Sequence, residues 1–317
     1  MERFQESTWV GIDVSKASWD VAIHDRKAVE RYASDEDGCR RLLAAITALP
    51  AVHVCVEATG GYERALVAAL RAQSVAVSVV NPRQIRDFAR AAGQLAKTDA
   101  IDARMIARYG AVMRPAASES LGEHQEKLRA LRTRRQQVSE ALVQEKNRLG
   151  TVVDRDARRS IEDAIEFYRR QLRGLDEQLA QLMEADPEFR RQRALLVSVP
   201  GVGATTAAAL TAELPELGRL NRRQAARLVG LAPINRDSGT LRGKRLIGGG
   251  RATVRKGLYM ATLVATKHNP VIRAFYQALL HKGKAKMTAL VACMRKLLLI
   301  LNAIVKTNQP WKYAKNA

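Results

Sequence analysis

The chain has 317 residues, roughly the length of two domains, and its 47% hydrophobic content is enough for packed cores. Lysine and arginine number 53 against 32 acids, a formal net charge of +21, which favours a polyanionic partner because basic side chains gain affinity by releasing counterions from phosphates. Cys39, Cys55 and Cys293 lie far apart, with no CxxC pair and no zinc spacing, so they read as reduced thiols in a cytoplasm.

On charge alone a ribosomal protein or a binder of anionic membranes would look the same. The opening "MERFQESTWVGIDV" has no apolar signal core. Near the other end, "KLLLILNAIVK" is shorter than the ~20 residues that cross a bilayer. It reads as a packed helix face, and no membrane is expected.

Residues 8–82 alternate between strand and helix patterns. "TWVGIDVS", "SWDVAIHD" and "AVERYAS" predict three short strands, followed by a helix over "DEDGCRRLLAAITAL". "AVHVCVEA" is nearly continuous in apolar residues, as the centre of a buried sheet requires. "YERALVAALRAQ" predicts a helix and "VAVSVVNP" a strand, and "PRQIRDFARAAG" opens a helix with proline at its first position. The order is βββαβαβα, which predicts a mixed α/β sheet with crossover helices.

Residues 120–190 change period. From Leu121, the positions Leu128, Leu131, Val138, Leu142, Leu149 and Val152 fall on heptad sites interrupted by Arg135 and Glu145. A cleaner run follows in Ile161, Ile165, Tyr168, Leu172, Leu175, Leu179 and Leu182. Gly150 closes the first run, so the segment predicts an antiparallel coiled-coil hairpin. It would serve either self-association or packing within its own chain. Beyond it, "LLVSVPGVGATTAAALTAEL" reads as helix, glycine turn, helix. "NRRQAARLVGLAP" reads as a helix capped by Asn221. "INRDSGTLRGKRLIGGGRATVRKG" is a Gly- and Arg-rich loop, and the rest is mainly α. The predicted divisions are 1–115, 116–190 and 191–317.

The acids carry the chemical signal. "KTDAIDAR" sets Asp99 and Asp102 on one helix face, where the macrodipole alone would favour them. Asp13, however, sits within the strand "WVGIDVSK", and Glu57 ends the strand "VHVCVE". A carboxylate in a buried strand is costly unless it is paired or metal-bound. If the first and fourth strands are neighbours and a following helix returns to their edge, the four acids converge. Such oxygen ligands suit Mg²⁺ or Mn²⁺, and a pair of such ions can drive phosphodiester chemistry.

The element order, with "GIDVSK", "EATGGYE" and "KTDAIDAR", resembles the ribonuclease-H-like (RuvC-like) fold of Holliday-junction resolvases. More narrowly it resembles the DEDD transposases of bacterial insertion sequences, the bridge-RNA-guided serine recombinases. The resemblance implies a catalytic, metal-binding tetrad of Asp13, Glu57, Asp99 and Asp102. It also implies a C-terminal transposase domain whose nucleophile falls on Ser238 in "DSG". By local pattern alone, a serine beside glycine in a loop is a turn residue. The nearby Arg242, Lys244, Arg245, Arg251 and Arg255 would suit a scissile phosphate. "VPGVGATT" lacks the GK[ST] of a phosphate loop. As a helix-hairpin-helix turn, Gly201 and Gly203 could bring backbone N–H groups to a DNA phosphate, or they could simply form a tight turn.

The partners implied are donor and target double-stranded DNA, an element-encoded bridge RNA, and a second copy of the chain in a dimer or tetramer in the bacterial cytoplasm, at the nucleoid. The alternative is a metal-dependent structure-specific endonuclease with water as nucleophile. A non-enzymatic nucleic-acid binder and a sugar-kinase-like ATPase fit less well. The gathered acids argue against the first, and the want of a second related half argues against the other.

Overall fold

The computed structural model describes residues 7–96, 98–120, 122–235, 237–243 and 245–312. Its contacts fall into two compact units, Met1–Ser120 and Leu121–Ala317.

The first unit is a sheet with helices on both faces. Its elements are β1 (Thr8–Val14), β2 (Ser18–Ile23), β3 (Val29–Ala33), α1 (Glu36–Thr47), β4 (Val52–Glu57), α2 (Glu63–Ala72), β5 (Ala76–Val80), α3 (Pro82–Ala91) and α4 (Asp99–Met113). The strands lie in the order β3-β2-β1-β4-β5. β1 pairs antiparallel with β2, and β2 with β3. β1 pairs parallel with β4, and β4 with β5. The expected βββαβαβα order is therefore present, with one further helix.

Alternation along β1 sorts the layers. Val10, Ile12 and Val14 join Val54 and Val56 in a core closed by Leu42 and Ile46 of α1 and Leu66 and Leu70 of α2. Trp9, Gly11 and Asp13 face the opposite way, where α4 packs. A Cβ on Gly11 would lie 2.2 Å from the Ala107 nitrogen and 2.4 Å from the Ala103 oxygen, so only glycine admits the helix this close. Gly110 returns the favour from the helix side: a Cβ there would meet the Trp9 ring at 2.7 Å and the Cys55 sulfur at 2.9 Å. Thr98 caps α4 by accepting a hydrogen bond from the Ile101 nitrogen, and Asn81 with Pro82 starts α3 in the same manner.

The second unit is mainly helical. α5 (Glu123–Leu149) and α6 (Arg155–Ala185) form a hairpin. Ion pairs His124–Asp186 and Arg135–Asp176 run in opposite senses along the two helices, so the hairpin is antiparallel. Arg135, which breaks the heptad pattern, is thereby accounted for. Leu128, Leu179, Leu182 and Met183 bury one another with Phe189, Ala208 and Ala212 of the helices that follow. The base of the Ile161–Leu182 seam is thus covered within one chain, which leaves less of it for a second copy than the sequence suggested.

α7 (Pro187–Val197), α8 (Ala204–Glu213), α9 (Arg222–Val229), α10 (Ala252–His268), α11 (Pro270–His281) and α12 (Lys286–Thr307) complete the core. α12 corrects the expectation of a short apolar segment. "KLLLILNAIVK" is only its second part, and the helix is long and apolar enough by length and composition to span a bilayer. Cys293, Met294, Leu297, Leu298 and Leu301 of α12 are instead packed in the core of this unit, which is the role of a central helix.

Candidate active site

The sheet rows place the acids. Gly11 pairs with Ala22 on one side and with Cys55 on the other. Paired residues of adjacent strands share a face, and the face repeats every second residue. Two steps on, Asp13 and Glu57 therefore lie on the α4 side of β1 and β4. Asp13 also pairs with Asp20 of β2, and Asp20 with Arg31 of β3. One row across the sheet thus carries Arg31, Asp20, Asp13 and Glu57.

α4 delivers the remaining two acids. It runs against β1 with Gly110 over Trp9, and with Ala107 and Ala103 over Gly11. Two strand residues rise ~6.6 Å and four helical residues ~6 Å, so the two elements stay in step. The first turn, with Asp99 and Asp102, then falls beside Asp13. The electrostatics agree. Asp13 is pushed from 3.8 up to about 6, first by burial, then by the charges of Asp102, Glu57, Asp99 and Asp20. The four acids expected from the sequence are brought together, and a fifth joins them.

Arg31 is a counter-charge to two of these acids, Asp20 and Asp99. Its Nε and Nη2 donate to the two Asp20 oxygens at 3.0 and 3.1 Å. Nη2 also lies 3.6 Å from the Asp99 carboxylate. Asp20 is buried at 4% exposure, whereas the Asp99 side chain is 62% exposed. Among the described residues, no three His, Cys, Asp or Glu side chains are drawn up as a ligand set. As oxygen donors the carboxylates suit a hard cation, but in this structure they are not gathered into a coordination set.

Glu63 secures the turn after Glu57. Its buried carboxylate accepts hydrogen bonds from the Thr59 nitrogen at 3.0 Å and the Gly61 nitrogen at 2.9 Å. Gly60 and Gly61 take φ values of +64° and +108°, which explains the paired glycines of "ATGGYE".

In the second unit, the Gly- and Arg-rich loop forms a nested ribbon. β6 (Pro233–Ile234) pairs with β9 (Leu246–Ile247), and inside them β7 (Asp237–Ser238) pairs with β8 (Leu241–Arg242). Ser238 is exposed beside the tip, where Gly239 has φ +55°. Two-residue strands leave no periodic signal, so this ribbon was not legible as strand. Arg242 is placed by its backbone in β8, but its side chain lies outside the described residues, as does the whole of Lys244. Arg245 is exposed.

Arg251 and Arg255 have internal partners. Arg251 donates to both Glu216 oxygens at 2.6 Å and to the Glu213 carbonyl at 2.8 Å. Arg255 donates to the carbonyls of Val229 at 2.9 Å and Gly249 at 2.7 Å, bracing the base of the ribbon. Both guanidiniums thus have partners within the fold. Gly201, with φ +102°, sits 2.7 Å from the Ala265 nitrogen when a Cβ is placed on it, so its glycine is needed for packing. Gly203 is the N-cap residue of α8.

Sequence reading missed Asp20, Arg31 and Glu63. A signal for Asp20 was available. Ser15 and Ser18 close the β1–β2 turn through Ser15 N and Oγ donating to the Ser18 carbonyl and Ser18 N donating to Ser15 Oγ. Counting back along each strand from that pair sets Asp13 opposite Asp20.

Comparison with known proteins adds an independent line. A DEDD-type family model for IS110 proteins, described as "Transposase", matches residues 10–155. A second, described as "Transposase IS116/IS110/IS902 family", matches residues 193–277. The first spans all four expected acids and the second spans Ser238. The pilin gene-inverting proteins of Moraxella bovis and Moraxella lacunata are each 29% identical over 314 residues, covering 96% of this chain and 97% of theirs. An insertion element IS110 uncharacterized 43.6 kDa protein of Streptomyces coelicolor is 27% identical over 149 residues, 46% of this chain and 36% of that protein.

Proposed function

We infer that this chain, which belongs to the IS110 family of transposases and acts on DNA as an enzyme, exchanges strands through an acid centre in its first unit and a serine in its second. The observation that carries the reading is the placement of Asp13, on the sheet face that α4 covers and beside the first turn that holds Asp99 and Asp102. Burial and the charges of the neighbouring acids push its carboxyl up to about 6, a perturbation of the kind that clusters at functional sites. The sheet, antiparallel over β3, β2 and β1 and parallel beyond, supports a ribonuclease-H-like reading of residues 1–115. The α5–α6 hairpin then falls in 116–190 and the transposase domain in 191–317.

Asp13, Glu57, Asp99 and Asp102 would hold Mg²⁺ or Mn²⁺, which supplies charge stabilisation at the oxygens of a phosphodiester. Ser238 is read as the nucleophile. As its Oγ–P bond forms, the bond from phosphorus to a deoxyribose oxygen breaks; the serine gives up its proton and the leaving oxygen takes one up. Attack by that oxygen type from a second strand reverses the step, so rejoining needs no outside energy. Exposure at the tip of a ribbon suits a group that must reach into a duplex. Arg242, Lys244 and Arg245, which follow Ser238 in sequence, are basic residues suited to the flanking phosphates.

Inversion of a pilin gene, the act named for the Moraxella relatives, is a rearrangement of DNA, which supports a recombinase reading. The resemblance to bridge-RNA-guided recombinases adds an RNA that pairs with donor and target DNA, and a net charge of +21 suits two polyanions. An assembly of two or four copies would hold two duplexes together.

The test is a denaturing gel. Purified protein, incubated with donor and target DNA, its flanking RNA and Mg²⁺, should yield a protein–DNA adduct that survives detergent. Ser238→Ala should bind DNA and give no adduct. Cleavage by the Ala variant would instead establish the endonuclease reading, with water as nucleophile.

A further inference from the structure

The acid centre contains its own cation. Arg31 is the end member of the row Arg31–Asp20–Asp13–Glu57, fixed by strand register rather than by a flexible loop. Its bidentate bond to Asp20 is the geometry that most tightly orients a guanidinium. Thus oriented, the same Nη2 group reaches the Asp99 carboxylate at 3.6 Å. Asp99 belongs to the first turn of α4, whose position on the sheet is set by Gly11 and Gly110. The guanidinium therefore ties together the edge of the sheet and the start of the helix that carries half of the acids.

We propose that Asp20 and Arg31 are a positioning pair for the metal centre: Arg31 holds Asp99 by charge in the metal-free protein, and Asp99 must exchange Arg31 for the cation when the centre closes. The proposal rests on the metal reading above. It also accounts for a feature that reading leaves unexplained, the buried carboxylate of Asp20 at the heart of an already acidic cluster, which makes sense as the anchor that keeps Arg31 in place. Because Arg31 is anchored on Asp20 and its side chain is 61% exposed, it can release Asp99 without leaving the sheet. The pair sets a threshold: only an ion that outbids a guanidinium for Asp99 completes the centre. A divalent ion does this more readily than a monovalent one because the attraction scales with charge.

The experiment measures Mn²⁺ binding directly, by electron paramagnetic resonance titration of the full-length metal-free protein without nucleic acid. Wild type, Asp13→Asn, Arg31→Gln, Arg31→Lys and the double variant Asp20→Asn/Arg31→Gln are compared. The metal reading requires that wild type binds and that Asp13→Asn loses most of the binding. If it does not, the metal reading fails and the pair has no centre to position. Given that result, Arg31→Gln should bind Mn²⁺ roughly tenfold more tightly, since it removes a positive charge beside the site and frees Asp99. Arg31→Lys, which keeps the charge, should stay within about twofold of wild type. Where Arg31→Gln is poorly folded because Asp20 is left buried and unpaired, the double variant removes both charges. It should still bind about threefold more tightly because Asp99 is released. Circular dichroism and urea unfolding establish which variants are folded. Unchanged or weaker Mn²⁺ affinity in a folded Arg31→Gln or double variant overturns the proposal and leaves Asp20 and Arg31 as a structural ion pair.

Discussion

Asp13→Asn should stabilise the metal-free protein at neutral pH while destroying its activity. The Asp13 carboxyl lies at about 6 against an ordinary 3.8, with burial as the largest cause. A folded value above the unfolded one means that the native state binds the proton more tightly. The stabilising effect of that proton is complete below 3.8 and is lost as pH rises through 6. A shift of about two units corresponds to ~3 kcal/mol as a ceiling. Asp13 is only half-buried, and water and salt screen its neighbours, so about half of that, ~1.5 kcal/mol, is the gain expected from asparagine at pH 7.5. Urea unfolding in the presence of a chelator measures it. Trp9 and Trp19 report the first unit by fluorescence, and far-ultraviolet circular dichroism reports the whole chain. The gain should shrink by about half at pH 5, where wild-type Asp13 is mostly protonated. Millimolar Mg²⁺ should narrow it at pH 7.5, because the cation relieves wild type and not the variant. An Asn variant less stable than wild type at pH 7.5 in chelator, with an unchanged spectrum, would refute the argument. It would show that Asp13 is a structural anchor rather than a strained carboxylate.

Gly11→Ala should cost ~2–3 kcal/mol and abolish strand exchange, since its Cβ would strike the α4 backbone at Ala107 and Ala103 and push Asp99 and Asp102 from Asp13; thermal unfolding and a recombination assay check both. Glu63→Ala should cost ~2 kcal/mol by leaving the Thr59 and Gly61 N–H groups without their acceptor, and should weaken Mn²⁺ binding by loosening the turn behind Glu57. Arg251→Ala should destabilise the second unit by ~2 kcal/mol, because it strands the Glu216 carboxylate; a loss of DNA affinity with unchanged unfolding would instead assign Arg251 to phosphate binding.

The sheet was legible because its strands obey two simple patterns, alternation in β1 and β2 and a continuous apolar run in β4. Asp13 and Glu57 were conspicuous because burial makes a strand carboxylate costly; Asp99 and Asp102, at a helix start that the macrodipole alone would explain, gained meaning only beside those two. Asp20 was equally conspicuous in "SWDVAIHD", yet its meaning depends on register, and register is a pairing between strands rather than a property of either. Arg31 lay in the weakest strand, where three of five positions face solvent, so nothing in the pattern separated it from an ordinary surface arginine. The same limit applies in the second unit. A row of arginines near Ser238 looks uniform in sequence, but Arg251 and Arg255 are spent on Glu216 and on backbone carbonyls. Which guanidinium is available for a phosphate is decided by the fold's own unmet acceptors, and these cannot be counted until the chain is folded. The heptad hairpin taught the converse. Its period was plain, but period alone does not say whose surface covers the seam.

The acid centre needs α4 to lie closer to the sheet than most helices can. An ordinary side chain at position 11 would hold the α4 backbone away from β1, and the first-turn acids would then miss the strand acids. The glycines at 11 and 110, and the alanines at 22, 103 and 107, remove that obstacle at the contact. Small residues bury little area, so this contact contributes little hydrophobic free energy of its own. The helix must be held at its flanks, and it is. Ile106 and Tyr109 pack with Ile85, Val80 and Phe88 on one side, and Arg104 donates to the Lys27 carbonyl on the other. Arg31 adds a charge contact at the first turn. If the acids hold a metal as proposed, their repulsion would push that turn off the sheet, and a cation of either kind, guanidinium or metal, would pull it back. With Arg31 in the row, the first turn would stay in place and Asp99 alone would have to exchange Arg31 for the ion, so that binding the ion need not wait on refolding the helix start.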